Sequence, residues 1–328
     1  MQRRTLLFMV LFITIISDRS FVLAQNDSIV IATFNCEFLN KDKIHVRYGL
    51  PLNINQASDA QKQQWSQPGF RDQKFLESTE LVAQVLVQLR ADVLALTEVG
   101  EEADVELLRT ELNSLGMNYP HKAVCISSDN TTNQHVAVIS RFPLSEVLQQ
   151  IPGREYYLPE TDDPETETHT GVSKGMRVTF TAFNKDFILY VLHLASERGG
   201  YAEDQQRISQ ASIVRRHYLD DLRDGKNIIV TGDLNDYRGQ PTLLRLRGID
   251  DIYDDLIQTG HKDFFDQSLL NTRWTYEFEG IRQQIDHILI SFSIKDICKS
   301  SGGIRARTYE HFTSASDHLP FIVTLKLK

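Results

Sequence analysis

Six short apolar runs, each flanked at one end by an acid, an amide or an imidazole, constrain this 328-residue chain more than any other feature. Ile31-Ala32-Thr33-Phe34 ends at Asn35, Val93-Leu94-Ala95-Leu96-Thr97 at Glu98, and Ile188 to Leu192 at His193. Ile228-Ile229-Val230-Thr231-Gly232 ends at Asp233, with Asn235 two residues on. Asp286 sits at the start of the run Ile285 to Ile290, and Asp317-His318 lead into Leu319 to Leu327. Runs this short and this rich in β-branched residues read as buried strands. One polar residue at a strand end is ordinary. The repetition points to a site gathered from strand ends on a rigid scaffold.

Between these runs the period changes. Asp72 to Arg90 places Phe75, Leu76, Val82, Val85, Leu86 and Leu89 at helical spacing, and Val105 to Leu115 reads as another helix. Tyr201 to Leu222 carries Ile208, Ala211, Val214, Tyr218 and Leu222 on one stripe. Met176 to Phe183 and Phe187 to Leu194 are β-rich and joined at Asn184-Lys185-Asp186, which predicts a hairpin. His135 to Ser140 is a further strand, ended by Arg141-Phe142-Pro143. Interleaved helices together with hairpins imply an α/β (α+β) chain: two packed mixed β-sheets with helices outside, a four-layer sandwich. No repeat or long linker divides it, so residues 25–328 form one domain. Two segments, 41–71 and 150–172, are polar or acidic and read as long surface insertions that frame a cleft.

Arg3-Arg4, the apolar run Leu6 to Ile16 and Val22-Leu23-Ala24 have the order of a secretory signal peptide spanning residues 1–24. The run is shorter than the roughly 20 residues a membrane anchor needs. The expectation is a secreted or periplasmic, monomeric protein with no stable membrane anchor after cleavage near Ala24. Hydrophobic residues make up 41% and charged residues 24%, enough to bury a large core. Cys36, Cys125 and Cys298 allow at most one disulfide and exclude a disulfide scaffold. A formal charge of −9 argues against holding nucleic acid on a broad basic surface, though not against gripping one phosphodiester locally.

The strand-end residues form a coherent chemical set. Asn35, Glu98, Asp317 and Asp233 are hard oxygen donors, suited to Mg2+ or Mn2+, with Ca2+ as a further candidate. No Cys-x-x-Cys or His-Glu-x-x-His spacing supports zinc. His193 and His318 exchange protons near neutral pH. A cation for a non-bridging oxygen, a base for water and an acid for the leaving oxygen are the parts that phosphodiester cleavage requires.

Thr33-Phe34-Asn35, Leu96-Thr97-Glu98-Val99, His135 to Pro143, Gly232-Asp233-Leu234-Asn235, Ile285-Asp286-His287 and Ser316-Asp317-His318 resemble, in order, the motifs of the endonuclease/exonuclease/phosphatase superfamily. This is the deoxyribonuclease I-like fold, shared with abasic-site endonucleases, neutral sphingomyelinases and inositol-polyphosphate 5-phosphatases. The resemblance implies that Glu98 and Asn35 hold the metal and that Asp317 adds a carboxylate. It implies that Asp233 and Asn235 align water and bind the scissile phosphate. His318, oriented by Asp286, would be general base or phosphate-polarising group, and Arg177 would lie near the phosphate. His193 matches a histidine of the deoxyribonuclease I and sphingomyelinase branches, where abasic-site enzymes carry tyrosine.

The resemblance implies a secreted metal-dependent phosphodiester hydrolase acting on DNA or RNA. A phospholipase C, sphingomyelinase or sugar-phosphate phosphodiesterase on the same scaffold is the second reading, and a non-catalytic binding module the third. The second would need an exposed apolar hairpin for membrane contact, and none stands clear of the core strands in the sequence. Gly171-Val172-Ser173-Lys174-Gly175 fits a serine nucleophile elbow only if a strand precedes it and a helix follows. Glu37 reads as an exposed strand-end acid.

Overall fold

A computed structural model describes residues 27–160, 167–248, 255–265, 271–310 and 314–328. The expected leader, 1–24, and Asp162, Asp163 and Glu165 of the acidic segment lie outside the described residues. The first half of the chain runs β1 (Ser28–Leu39), α1 (Ile44–Arg47), α2 (Asp59–Trp65), α3 (Phe70–Leu89), β2 (Val93–Val99), α4 (Glu102–Ser114), β3 (His121–Cys125), β4 (His135–Ser140) and β5 (Leu144–Gln149). Next come β6 (Glu155–Tyr157), β7 (Thr168–Thr170), β8 (Gly175–Ala182), β9 (Lys185–His193), α5 (Tyr201–Arg223), β10 (Asn227–Asp233) and α6 (Pro241–Arg247). The chain closes with β11 (Leu256–Gln258), β12 (Tyr276–Phe278), β13 (Ile281–Gln283), β14 (Asp286–Ser291), α7 (Phe292–Ile297), β15 (Ile304–Thr308) and β16 (Phe321–Lys326).

The strands form two six-stranded mixed sheets, ordered β15-β16-β1-β2-β4-β3 and β11-β14-β10-β9-β8-β5. Each has one parallel pair at its centre, β1 with β2 and β9 with β10, and antiparallel neighbours outside it. The period of two along a strand explains the layering. Ile29, Ile31, Val93 and Ala95 pack against Leu189, Val191, Ile229 and Ile288 of the other sheet. Their alternates Ala32, Phe34, Leu94 and Leu96 pack on Val82, Leu86, Val105 and Leu108 of α3 and α4. On the far side Ile188, Tyr190, Leu192 and Val230 meet Ala211, Val214 and Tyr218 of α5. The result is the expected four layers, two mixed sheets flanked by helices.

This alternation also aims the site. Asn35, His193, Asp233 and Asp286 share the parity of the inter-sheet residues, so they open at the mouth between the sheets. Glu98 has the opposite parity. The register between β1 and β2 and between β2 and β4 shifts beside it, and Glu98 adopts φ +56, a left-handed conformation rare for a residue with a side chain. That break turns its carboxylate to the mouth. Gly232 is equally constrained: at φ +127, an added Cβ would lie 1.9 Å from the Leu192 carbonyl oxygen. Glycine there lets β9 and β10 approach with His193 opposite Asp233.

Two expectations about the insertions are corrected. Segment 41–71 is not merely a surface loop, because Ile44, Leu50, Ala57 and Trp65 are buried in the core beneath α3. Trp65 packs edge-on against Phe70 at 5.2 Å, so one aromatic anchors an otherwise polar, Gln-rich stretch. Segment 150–172 folds β6 and β7 into a hairpin on α5, where Ser209 donates to the Tyr156 carbonyl (3.0 Å). None of its described residues lines the cleft. All three cysteines are buried and free. A hairpin that the sequence did not reveal, β12–β13, stands at the cleft with Phe278 49% and Ile281 64% exposed.

Candidate active site

The strand ends converge on a cavity of about 750 Å³ lined by Glu37, Glu98, His193, Asp233, Asn235, Asp317 and His318. Asn35 is the hub of its floor. Its Nδ2 donates to Glu98 Oε1 (3.1 Å) and to Asp233 Oδ2 (2.9 Å), joining the two sheets. Its Oδ1 accepts the Glu37 N–H (2.9 Å), which fixes the amide's orientation. In this arrangement Asn35 offers its nitrogen to the carboxylates and so holds Glu98 and Asp233 together across the two sheets. Glu98 Oε2 also accepts the Phe38 N–H (3.0 Å). Arg47 ties down the same bulged end of β1 through the carbonyls of Cys36 (2.8 Å) and Glu37 (2.9 Å).

The two imidazoles flank Asp233. His193 Nε2 lies 3.8 Å from Asp233 Oδ2 and 3.7 Å from Glu98 Oε1. His318 Nε2 lies 3.9 Å from the same Asp233 oxygen, while its Nδ1 meets Asp286 Oδ2 at 2.7 Å. Asp286 is wholly buried and does not line the cavity. Its backbone N–H and that of Ile285 both donate to Thr275 Oγ1 (3.0 and 3.1 Å). Ser316 accepts the His318 N–H (3.0 Å) and donates to the Asn35 carbonyl (2.7 Å), bracing the last loop on β1. The Tyr276 ring packs on His318 with centroids 4.8 Å apart. Thr275, Ser316, Tyr276 and Arg47 were not singled out as site residues in the sequence; Ser316, next to Asp317-His318, carried the one available signal.

Electrostatics divides the histidines. Burial drives His193 well below its ordinary pKa, with Lys174 and His318 adding to the effect. Burial acts on His318 in the same sense, but the Asp286 carboxylate overrides it and holds His318 well above the usual range. Burial, then the Asp286 charge, pushes Asp233 up to about 7. Glu37 rises to about 7 through burial and then Asp317, so it is a half-buried cavity wall rather than an exposed acid. Glu98 is also raised, by burial first. Carboxylates crowded so that they resist ionising fit a divalent cation, which would relieve burial and repulsion together. Glu98, His193 and Asp233 each offer a donor atom, all within 4.8 Å of one another. Asp317 stands at the rim, 44% exposed, 4.0 Å from His318 Nε2.

Asn235 lines the cavity at φ +48, its N–H on Asp233 Oδ1 (2.9 Å) and its Nδ2 on the Leu194 carbonyl (3.0 Å). Arg177 is a correction. It has the parity of the helix-facing residues of β8 and pairs with Asp221 of α5, Nε to Oδ2 3.0 Å and Nη2 to Oδ1 3.1 Å. It does not line the cavity. Arg177→Ala is expected to cost about 1–3 kcal/mol in urea unfolding, because it removes the two-point partner of a buried carboxylate that keeps only Tyr190 Oη and Lys226 Nζ, and to leave KM unchanged. A raised KM at unchanged stability would restore Arg177 to the phosphate. Ser173 is followed by the strand β8 rather than a helix, which removes the nucleophile elbow.

With this geometry in place, comparison with known proteins is decisive at the level of family. The profile of the Endonuclease/Exonuclease/phosphatase family matches residues 32–318. The chain belongs to that family. Members of the endonuclease/exonuclease/phosphatase family are generally hydrolases of phosphodiester bonds. No curated protein matches the chain by sequence. Truncated TDP2 of Caenorhabditis elegans is similar in structure, with a TM-score of 0.55 at 12% identity over 91% of this chain and 98% of that one. A Staphylococcus aureus beta toxin mutant with bound magnesium ions has a TM-score of 0.52 at 15% identity, over 91% and 100% of the two chains. A family protein from Bacteroides thetaiotaomicron gives 0.53 at 15%, over 92% and 98%. At such identities these likenesses show the fold alone.

Proposed function

We propose that the chain is a secreted, divalent-metal-dependent phosphodiesterase that cleaves nucleic acid by attack of water on phosphorus. The observation that carries this reading is the placement of Asp233 Oδ2 between two imidazole Nε2 atoms, above a carboxylate cluster bridged by Asn35. Glu98, with Asp233 and Asp317 beside it, would hold Mg2+ or Mn2+, which supplies charge neutralisation at a non-bridging oxygen. Asp233 Oδ2, set between the two imidazoles, aligns the attacking water and accepts its proton. His318, kept protonated by Asp286, favours the phosphate-polarising role over the general base. Asn235 orients the phosphate. His193, across Asp233 from His318, is placed to protonate the leaving oxygen once the substrate's charge raises its proton affinity.

A phospholipase C-type activity is the second reading, favoured by the exposed Phe278 and Ile281 on the hairpin at the cleft. Turnover of plasmid DNA and RNA against sphingomyelin decides between them; lipid cleavage alone would overturn the nuclease reading. Secretion rests on Arg3-Arg4, Leu6 to Ile16 and Val22-Leu23-Ala24. Among the described residues no helix is long and apolar enough to cross a membrane. N-terminal sequencing of protein from its native host is expected to begin near Gln25. An intact Met1 would refute export by cleavage.

A further inference from the structure

Behind the β12–β13 hairpin lies a second concavity of about 370 Å³, lined by Tyr237, Arg238, Arg273, Ile281, Arg282, Gln283 and Gln284. Gln283 also lines the main cavity, so the two spaces share a wall. Three guanidinium groups in one groove stand out in a chain of net charge −9. Arg282 lies over the Trp274 ring, 4.4 Å from its centroid, and pairs with Glu277 (2.7 Å). Among the described residues, the one side-chain hydrogen bond of Arg273 goes to the Gly260 carbonyl, at 3.4 Å. Arg238 has no hydrogen bond or ion pair with any described residue. Burial, and then the neighbouring Arg238 charge, lower the pKa of Arg273. Arg238 and Arg273, held close with no carboxylate partner among the described residues, are relieved by an anion, and the planar guanidinium suits a phosphate's paired oxygens.

We propose that the groove formed by Arg238, Arg273 and Arg282 binds a second phosphate of a polynucleotide whose scissile phosphate occupies the main cavity. The inference rests on the nuclease reading and narrows it to substrates longer than a single diester. Concavity and the shared Gln283 wall favour a continuous polyanion over a flat lipid surface. Tyr237, 40% exposed beside Arg238, offers a ring on which a base can stack. The groove also explains how an acidic protein grips nucleic acid, through a local track rather than a basic face.

The test separates binding from turnover. Binding of a fluorescein-labelled single-stranded 12-mer is followed by anisotropy across a salt series, for the wild type, Arg238→Glu and Arg238→Glu/Arg273→Gln. Arg238 is exposed, so its single variant keeps the fold if the half-buried Arg273 variant does not. The variants are expected to bind the 12-mer roughly tenfold or more weakly, with a salt slope shallower by about 0.7 per lost phosphate contact. Hydrolysis of bis-p-nitrophenyl phosphate, which has no second phosphate, stays at the wild-type rate. Unchanged 12-mer affinity overturns the proposal. So does a loss confined to inorganic phosphate, or one confined to phosphatidylserine vesicles. Wild-type protein that binds the 12-mer through these arginines but hydrolyses no diester supports the groove and removes the hydrolase reading.

Discussion

His318→Ala is expected to lower hydrolysis of every phosphodiester by about 10²–10⁴-fold, the scale of a positioned acid–base group. The size follows from its setting: Asp286 at 2.7 Å holds the ring, and Nε2 faces the cavity beside Asp233. No substrate can bypass a group that acts on the phosphate itself. His193→Ala is expected to behave differently. A nitrophenolate leaves without a proton, whereas a sugar alkoxide does not. Loss of His193 therefore slows nucleic-acid cleavage far more than cleavage of bis-p-nitrophenyl phosphate. Parallel assays on the two substrates read this ratio. Equal losses would recast His193 as a phosphate or structural ligand, and small losses on both would make it an ordinary strand end.

Glu98→Gln is expected to cost about three orders of magnitude, the several kcal/mol that a bound cation supplies at a phosphoryl oxygen. Glutamine keeps the size of the side chain and removes the charge that attracts the ion. Glutamine ends the burial of a charge but can accept only one of the two hydrogen bonds that Glu98 takes from Asn35 Nδ2 and the Phe38 N–H, so the chelated Tm of each protein is the reference for its own shift on adding metal. A second readout needs no turnover. Adding Mn2+ to chelator-treated protein raises Tm by mass action when the folded chain binds the ion. That rise is expected in the wild type and diminished in Glu98→Gln. An equal rise in both would place the cation elsewhere.

Much of this was legible because alternation is local. The inter-sheet parity of Ile29 and Ile31 carries through to Asn35, and that of Leu189 and Val191 to His193, so residue identity and layer come from one pattern. Glu98 was legible as a motif but not as geometry. Its inward turn depends on a bulge and a left-handed φ, which alternation predicts wrongly. Arg177 failed for the opposite reason. Its motif position resembles a phosphate-side arginine, while its parity, readable from Met176 and Val178, sends it toward α5. Trp65 was missed because one buried aromatic sets the fate of a polar stretch only through long-range packing. The arginine groove joins residues 238, 273 and 282 across the sequence, and no local period links them.

The most direct test is metal-dependent hydrolysis by the purified protein. Exhaustively chelated protein is incubated with plasmid DNA, RNA, sphingomyelin and bis-p-nitrophenyl phosphate, before and after Mg2+ or Mn2+ is restored. Turnover of nucleic acid and of the nitrophenyl diester is expected to vanish with the metal and return with it. Full turnover in chelator, or no diester cleaved under any metal, would contradict a cation-assisted phosphodiesterase centred on Glu98 and Asp233.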